Sequence, residues 1–169
     1  IIQSFQTKMS LGKLTPDFVD EKVNDALLLA SNMSNTLEGR TAPTVLIEFA
    51  KSQIHQVLMN VKGVEFIMIS STDGFELTSL SRVKAYNSTK LAAVSSSILA
   101  MVGAFLGEIN LSGCQSISLD AQNGRAILTS IPTEKHPMMI VTLVSKDVLL
   151  AQLLNGLKDA GNAIMQLDY

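Results

Sequence analysis

Residues 90–108 read KLAAVSSSILAMVGAFLGE, and no side chain between Lys90 and Glu108 is ionisable. Asn87 or Ser88 can cap a helix that begins here, and we predict that it runs from about Thr89 to about Asn110. A surface helix of a small domain normally presents a charged face to water. Since this helix has no such face, we expect both of its sides to be covered.

The two sides of this helix differ in the size of their side chains. The larger side chains form a broad apolar face that we expect to pack on a sheet: Leu91, Val94, Ile98, Met101, Val102, Phe105 and Ile109. The rest are mostly small: Ala92, Ser96, Ala100, Gly103, Ala104 and Gly107. Each glycine within a helix costs roughly 1 kcal/mol relative to alanine, and close packing against another helix is a reason to tolerate it. We therefore predict contact with the same helix of a second copy, and burial under an N-terminal helix of the same chain is the alternative.

A membrane span is not expected from this helix. The uncharged stretch has about 17 residues, or roughly 25 Å of helix, whereas a bilayer core needs roughly 30 Å. The polar run from Ser95 to Ser97 interrupts it.

The segments on either side of this helix predict an α+β domain. Before it we expect a helix over 43–60 and two strands, 64–69 and 75–80, that are joined by a turn at Asp73-Gly74. After it we expect strands 114–119, 125–131 and 138–144, with a turn at Asn123-Gly124, and a last helix from Asp147. The predicted order is therefore α-β-β-α-β-β-β-α, with an antiparallel sheet between helices.

The first part of the chain is predicted to be an extension of this domain. Thr15-Pro16-Asp17 is a good helix start, and the apolar spacing that follows indicates a helix over about residues 16–36. A polar break that ends in Pro43 follows it. We therefore divide the chain into an N-terminal extension, residues 1–40, and a domain, residues 41–169.

The composition excludes several classes of protein. The formal net charge is -2 and tryptophan is absent, so nucleic-acid binding is not expected. Hydrophobic residues make up 47% of the chain and charged residues only 17%, which favours self-association. Cys114 is the only cysteine, which suits a reducing cytoplasm.

No catalytic or cofactor site is predicted. The chain contains no Gly-x-Ser-x-Gly, Gly-x-x-x-x-Gly-Lys or Gly-x-Gly-x-x-Gly motif. His55 and His136 are isolated histidines and do not make a metal site. Asp73 and Asp120 could form a carboxylate pair, but their places beside turns explain them more simply. We therefore expect a non-enzyme without a cofactor.

From about Pro43 to Ile164 the chain resembles the roadblock / dynein light chain family. The resemblance is carried by residues 63–75, GVEFIMISSTDGF, by the small-residue helix that ends in Phe105-Leu106-Gly107-Glu108, and by the strand-turn-strand around Asn123-Gly124. It implies a five-stranded antiparallel sheet and a two-fold dimer in which the third strand pairs with its copy and the middle helices pack together. The resemblance thereby places Gln115, Ile117 and Leu119 at a shared edge, and Ala92, Ser96, Ala100 and Gly103 at a helix contact.

The same resemblance implies a function in protein binding. Members of the family often regulate small Ras-like GTPases or bridge larger complexes, and bacterial members commonly lie near GTPase genes. We therefore expect a cytoplasmic homodimeric adaptor of a small GTPase, of the bacterial roadblock type. Arg82 and Arg125 are the arginines whose location suits a catalytic finger, although surface charge explains both. A small-molecule-sensing domain and a motor-complex scaffold are the alternatives.

Overall fold

The structure is a computed structural model that describes residues 42–82 and 85–168. The predicted N-terminal extension, including its helix at residues 16–36, lies outside the described residues. Its boundary with the domain at residues 40 and 41 therefore stays a prediction.

The described residues form three helices and five strands in the predicted order. They are α1 (Thr44–Asn60), β1 (Val64–Ser71), β2 (Glu76–Ser81), α2 (Ser88–Glu108), β3 (Ser116–Ala121), β4 (Gly124–Ile131), β5 (Met138–Val144) and α3 (Leu150–Leu167). The strands form one antiparallel sheet of order β2-β1-β5-β4-β3. The predicted five-stranded α+β architecture is confirmed.

The sheet has a buried centre and two helix-covered faces. β5 lies in the middle, and its continuous apolar sequence, with Ile140 fully buried, matches a strand that is covered on both faces. α1 and α3 cover one face, where Ile67 and Ile127 join their apolar side chains in one core cluster. α2 covers the other face over a smaller cluster that includes Phe66 and Met139.

Several predicted ends differ by one or two residues, and the starts of β3 and α3 differ for reasons that the structure shows. β3 begins at Ser116 rather than Cys114, since the chain first turns through Asn110 and Gly113, whose φ angles are 59° and 70°. At Asn110 the Leu111 N–H donates to the carbonyl of Leu106 at 2.8 Å, which closes the end of α2. α3 begins at Leu150 rather than Asp147, because a turn first forms in which the Val148 N–H donates to the Ser145 carbonyl.

The N-terminal half of α2 is fixed to the sheet through polar contacts. The Asn87 side chain accepts a hydrogen bond from the Lys90 N–H at 3.1 Å and caps the helix. The Ser88 hydroxyl donates to Glu76 at 2.6 Å, and the Ser96 hydroxyl donates to the carbonyl of Thr72 at 2.5 Å. These bonds tie α2 to β2 and to the β1–β2 turn.

The β1–β2 turn approaches α2 closely at Gly74. Gly74 has a φ of +97°, and a Cβ there would lie 3.3 Å from both the Ala93 Cα and the Ser96 Cβ. Glycine is required for two reasons, since the backbone conformation disfavours other residues and the space for a side chain is already filled. The turn therefore sets how α2 lies on the sheet.

The end of α3 is bonded to the loop between β4 and β5. Asp168 accepts a hydrogen bond from the His136 N–H at 3.1 Å, and its second oxygen lies 2.7 Å from the His136 Nδ1. Burial raises the pKa of Asp168, but the hydrogen bonds that it accepts, the strongest of them from the His136 side chain, lower the pKa by more. The pKa of Asp168 is therefore below its ordinary value, and its ionised form stabilises the fold.

We predict that Asp168→Asn lowers the free energy of unfolding by about 1–3 kcal/mol at pH 7, the range of a charge-assisted hydrogen bond. A lowered carboxyl pKa gives stability that is present above the unfolded value of about 3.9 and is lost as the pH falls through the folded value. The difference from wild type should therefore shrink in urea unfolding at about pH 3. Asp159→Asn, at an exposed position of α3, is the control and should change little at either pH. An equal loss from Asp168→Asn at both pH values would contradict this account.

We predict that Gly74→Ala lowers the free energy of unfolding by about 1–3 kcal/mol, because it adds backbone strain and a collision with α2. Gly156→Ala is the matched control: Gly156 is in α3, and a Cβ there would be at an ordinary distance of 3.8 Å from Val57 and Val61. That control should be neutral or stabilising by up to about 1 kcal/mol. Equal stabilities of the two variants in thermal unfolding would disprove the close-approach argument.

Candidate protein-binding interface

The C-terminal half of α2 is apolar and uncovered. Met101 is 66% exposed and Phe105 is 64% exposed. A Cβ at Gly103 or Gly107 would meet nothing within 4 Å. Beyond the helix, Ile109 and Leu111 are also about half exposed. A continuous run of exposed apolar side chains is unusual for a helix in a small domain. Such exposed apolar area typically marks an interaction site.

The neighbouring edge of the sheet is uncovered as well. β3 pairs with β4 alone, and five of its six residues are exposed. Ile117 packs in the same cluster as Leu99 of α2, and Leu119, which is 43% exposed, lies on the same side of the strand by alternation. We call this region, formed by Met101, Phe105, Ile109, Leu111 and Leu119, the α2–β3 surface. It joins exposed apolar side chains to an open strand edge, and such an edge readily pairs with another chain.

The orientation of α2 differs from the expectation drawn from its sequence. Val94, Met101 and Phe105, which were expected to face the sheet, are exposed. The small residues Ala92 and Ser95 are buried against the sheet instead. The β1–β2 turn lies against the neighbouring side of α2, at Ala93 and Ser96, where there is room only for small side chains.

The residues predicted for a helix contact therefore divide into two groups. Ala92 is fully buried within its own chain, and its predicted place at a contact between copies is wrong, because it has no surface left. Ser96 is half-buried and bonded to Thr72. Ala100 and Gly103 are exposed, but helical geometry places Gly103 on nearly the opposite side of α2 from Met101 and Phe105, whose exposure was not predicted from the sequence.

The predicted edge residues are placed at the edge of the sheet. Gln115 immediately precedes β3, and its carbonyl accepts a hydrogen bond from the Ser130 N–H at 3.0 Å. Ile117 and Leu119 belong to β3 itself. Contact of these residues, and of Ala100 and Gly103, with a second copy stays a prediction.

Asp120 of β3 is paired with two basic residues. Asp120 lies 3.0 Å from the Nζ of Lys146 and 3.6 Å from the Nε of Arg125. The hydrogen bond from Lys146 is the main reason that the pKa of Asp120 is lowered. Asp73 lies in the β1–β2 turn, at the opposite end of the sheet, so the two aspartates are not a carboxylate pair.

Most of the other candidate catalytic or metal-binding residues make contacts within the fold. Arg82 donates to the carbonyl of Leu58, and Arg125 contacts Asp120. His136 contacts Asp168, whereas His55 lies on the exposed side of α1. The Cys114 thiol is half-buried, 3.9 Å from the carbonyl of Ser116. Within residues 42–82 and 85–168, no three histidine, cysteine or acidic side chains lie close enough to hold a metal ion.

Among the described helices, α2 is the one that is long and apolar enough to cross a bilayer. Its mean hydropathy is 1.6 over the test window. Length and composition alone are weak evidence that a single helix crosses a membrane. In the structure the N-terminal half of α2 is bonded to the sheet.

Several solved structures are similar to this chain. No protein-family model and no curated protein sequence matches the chain. It is similar to an MglB structure with a tetrameric arrangement, with a TM-score of 0.68 and 14% identity over 76% of this chain and 94% of that chain. It is similar to the gliding protein MglB from Thermus thermophilus, with a TM-score of 0.68 and 14% identity over 76% of this chain and 95% of that chain.

A third similar structure has a name that describes its fold. It is a roadblock/LC7 domain from Streptomyces avermitilis, with a TM-score of 0.60 and 9% identity over 67% of this chain and 92% of that chain. In each case the similarity extends over nearly the whole of the solved chain. The described residues of this protein have the roadblock fold.

Proposed function

We propose that this protein is a non-catalytic homodimeric scaffold, in which two copies associate through the α2–β3 surface and the dimer binds a small Ras-like GTPase or a related protein complex. The main observation in support of a dimer is the uncovered apolar half of α2, where Met101 and Phe105 are about two-thirds exposed. Burial of one large apolar side chain stabilises by about 1.5–3 kcal/mol. Several such side chains together favour association.

A second copy is the occupant that suits this surface best. α2 has no charge between Lys90 and Glu108, so two copies of it can meet without repulsion between like charges. A two-fold contact brings the same surface of both subunits together, and an uncharged surface meets its own copy without conflict. The tetrameric arrangement of one similar MglB structure supports self-association in proteins of this fold.

The contacts of the titratable residues support a non-catalytic role. Asp120 is paired with Lys146 and Arg125 on the exposed side of β3, and Asp168 is bonded to His136 at the end of α3. These pairs hold elements of the fold together. Glu76 accepts hydrogen bonds from Ser79 and Ser88 and thereby joins β2 to the start of α2.

The GTPase partner follows from the family resemblance rather than from a contact in the structure. The fold is that of the roadblock structures, and one similar structure is a gliding protein, MglB. Fold alone does not determine function, so this part of the proposal requires a direct binding test.

We predict that Phe105→Ser weakens the dimer at least about tenfold, because each subunit loses a large apolar contact in a two-fold interface. The measurement is sedimentation equilibrium of the full chain over a concentration series. Val45→Ser is the matched control, since Val45 is 75% exposed on α1 and lies outside the α2–β3 surface. A wild-type chain that remains a monomer at high micromolar concentration would disprove the dimer. Sedimentation of that monomer with lipid vesicles would instead assign the α2–β3 surface to a bilayer.

We predict that the wild-type chain binds at least one Ras-like GTPase from the same genome and changes its rate of GTP hydrolysis. Binding is measured by calorimetry with the GTPase loaded with GDP and, separately, with a non-hydrolysable GTP analogue. A translation-factor GTPase is the control and should neither bind nor change its turnover. The absence of binding and of any rate change across all Ras-like GTPases of the genome would reject the GTPase partner and leave the dimer untouched.

A further inference from the structure

The backbone of β3 has an alternating pattern that restricts how another strand can pair with it. β3 and β4 are joined through a tight turn that places Ala121 opposite Gly124. The Ser130 N–H donates to the Gln115 carbonyl, which extends the same register to the start of the strand. In an antiparallel pair, every second residue directs both of its backbone groups to the neighbouring strand. The odd-numbered residues 115–121 therefore bond to β4, and the backbone groups of Ser116, Ser118 and Asp120 point outward.

The side chains of β3 divide in the same alternation. Ile117 packs in the core cluster beneath α2, and Leu119 is on the same face. Ser116, Ser118 and Asp120 are on the opposite face and are exposed. The outward backbone groups thus belong to the polar residues, and the apolar residues lie between them on the α2 side.

We infer that two copies pair through β3 in antiparallel register centred on Ser118, so that Ser118 lies opposite the partner's Ser118 and Ser116 lies opposite the partner's Asp120. This inference rests on the proposed homodimer and adds to it the register of the shared sheet. The two five-stranded sheets then form one continuous sheet across the two-fold axis.

The number of outward-pointing residues that find partners favours this register. With the centre at Ser118, all three of Ser116, Ser118 and Asp120 bond to residues of the partner strand. With the centre at Leu119, Ser116 lies opposite the partner's Gln122, which is in a turn. With the centre at Ile117, Asp120 lies opposite the partner's Cys114, which precedes the strand. Either shift leaves outward backbone groups of β3 without a strand partner, so fewer hydrogen bonds form between the two strands.

The apolar side chains favour the same register. Centring on Ser118 places Ile117 directly opposite the partner's Leu119, and the reverse pair forms on the other side of the axis. Centring on Leu119 pairs Ile117 with the partner's Ala121, and centring on Ile117 pairs Leu119 with the partner's Gln115. The hydrophobic pattern of a strand sets its register wherever one face is buried. Only the Ser118 centre pairs all four large side chains with one another.

Charge excludes a register that is shifted further toward the end of β3. Centring on Asp120 would place it opposite the partner's Asp120, and like charges directly across a strand pair are destabilising. With the centre at Ser118, each Asp120 lies opposite a serine. Each Asp120 also keeps its contacts with Lys146 and Arg125 of its own chain.

Cysteine cross-linking of the full chain tests the register. Residues in a hydrogen-bonded antiparallel pair have Cα atoms about 5.5 Å apart, which a disulfide can span. In a Cys114→Ser background, Ser118→Cys should form a covalent dimer under mild oxidation far faster than Leu119→Cys or Ile117→Cys. A mixture of the Ser116→Cys and Asp120→Cys chains should form a mixed dimer faster than either chain alone. Ser79→Cys, on the opposite edge strand β2, is the control for random collision.

The outcomes separate the register from the dimer. Rapid cross-linking at Ser118, in a chain that sediments as a dimer, supports the inference. Dimers that cross-link fastest at Leu119→Cys or Ile117→Cys overturn the register and leave the proposed dimer intact. Dimers in which no β3 cysteine cross-links faster than the Ser79→Cys control overturn strand pairing. A chain that sediments as a monomer overturns the proposed dimer and the register with it.

Discussion

The close approach of the β1–β2 turn to α2 determines which side of that helix meets the sheet. A Cβ at Gly74 would lie 3.3 Å from the Ala93 Cα of α2, and the Ser96 hydroxyl bonds to the carbonyl of Thr72 beside it. Only small residues fit against the turn, and with this side of the helix fixed, Ala92 and Ser95 on the adjoining side are buried. Leu91, Ile98 and Leu99 pack on the sheet, whereas Val94, Met101 and Phe105 are turned outward and form the apolar surface that a partner would meet.

The exposed half of α2 and the open edge of β3 both favour association with another chain. Burial of apolar side chains such as Phe105 away from water lowers the free energy, and hydrogen bonding of the outward backbone groups of β3 to another strand lowers it as well. A second copy satisfies both needs at once, because it brings an apolar helix and an open strand in the same arrangement. The charges near the edge do not oppose this association, since Asp120 already contacts Lys146 and Arg125.

Much of the fold was predictable from local patterns. The order of the elements follows from apolar periodicity and from the turns at Asp73-Gly74 and Asn123-Gly124, which act over a few residues. The ends of β3 and α3 were less predictable. They depend on backbone conformations such as the left-handed one at Asn110 and on the turn before Val148, which the pattern of hydrophobic residues does not reveal. Contact between copies was predicted on α2 and β3, and exposed apolar side chains do lie there, but Ala92 is buried and the exposure of Met101 and Phe105 was not predicted.

The sequence by itself determined that α2 cannot have an ordinary water-facing side, because the absence of charge from Leu91 to Gly107 is a property of composition alone. It also determined which strands adjoin through short turns, because those contacts are local. Only the tertiary structure decided the rotation of α2 about its axis, and with it the identity of the exposed residues. That rotation depends on the distance between Gly74 and a helix some 20 residues further along the chain, and no local pattern encodes a packing distance between segments so far apart.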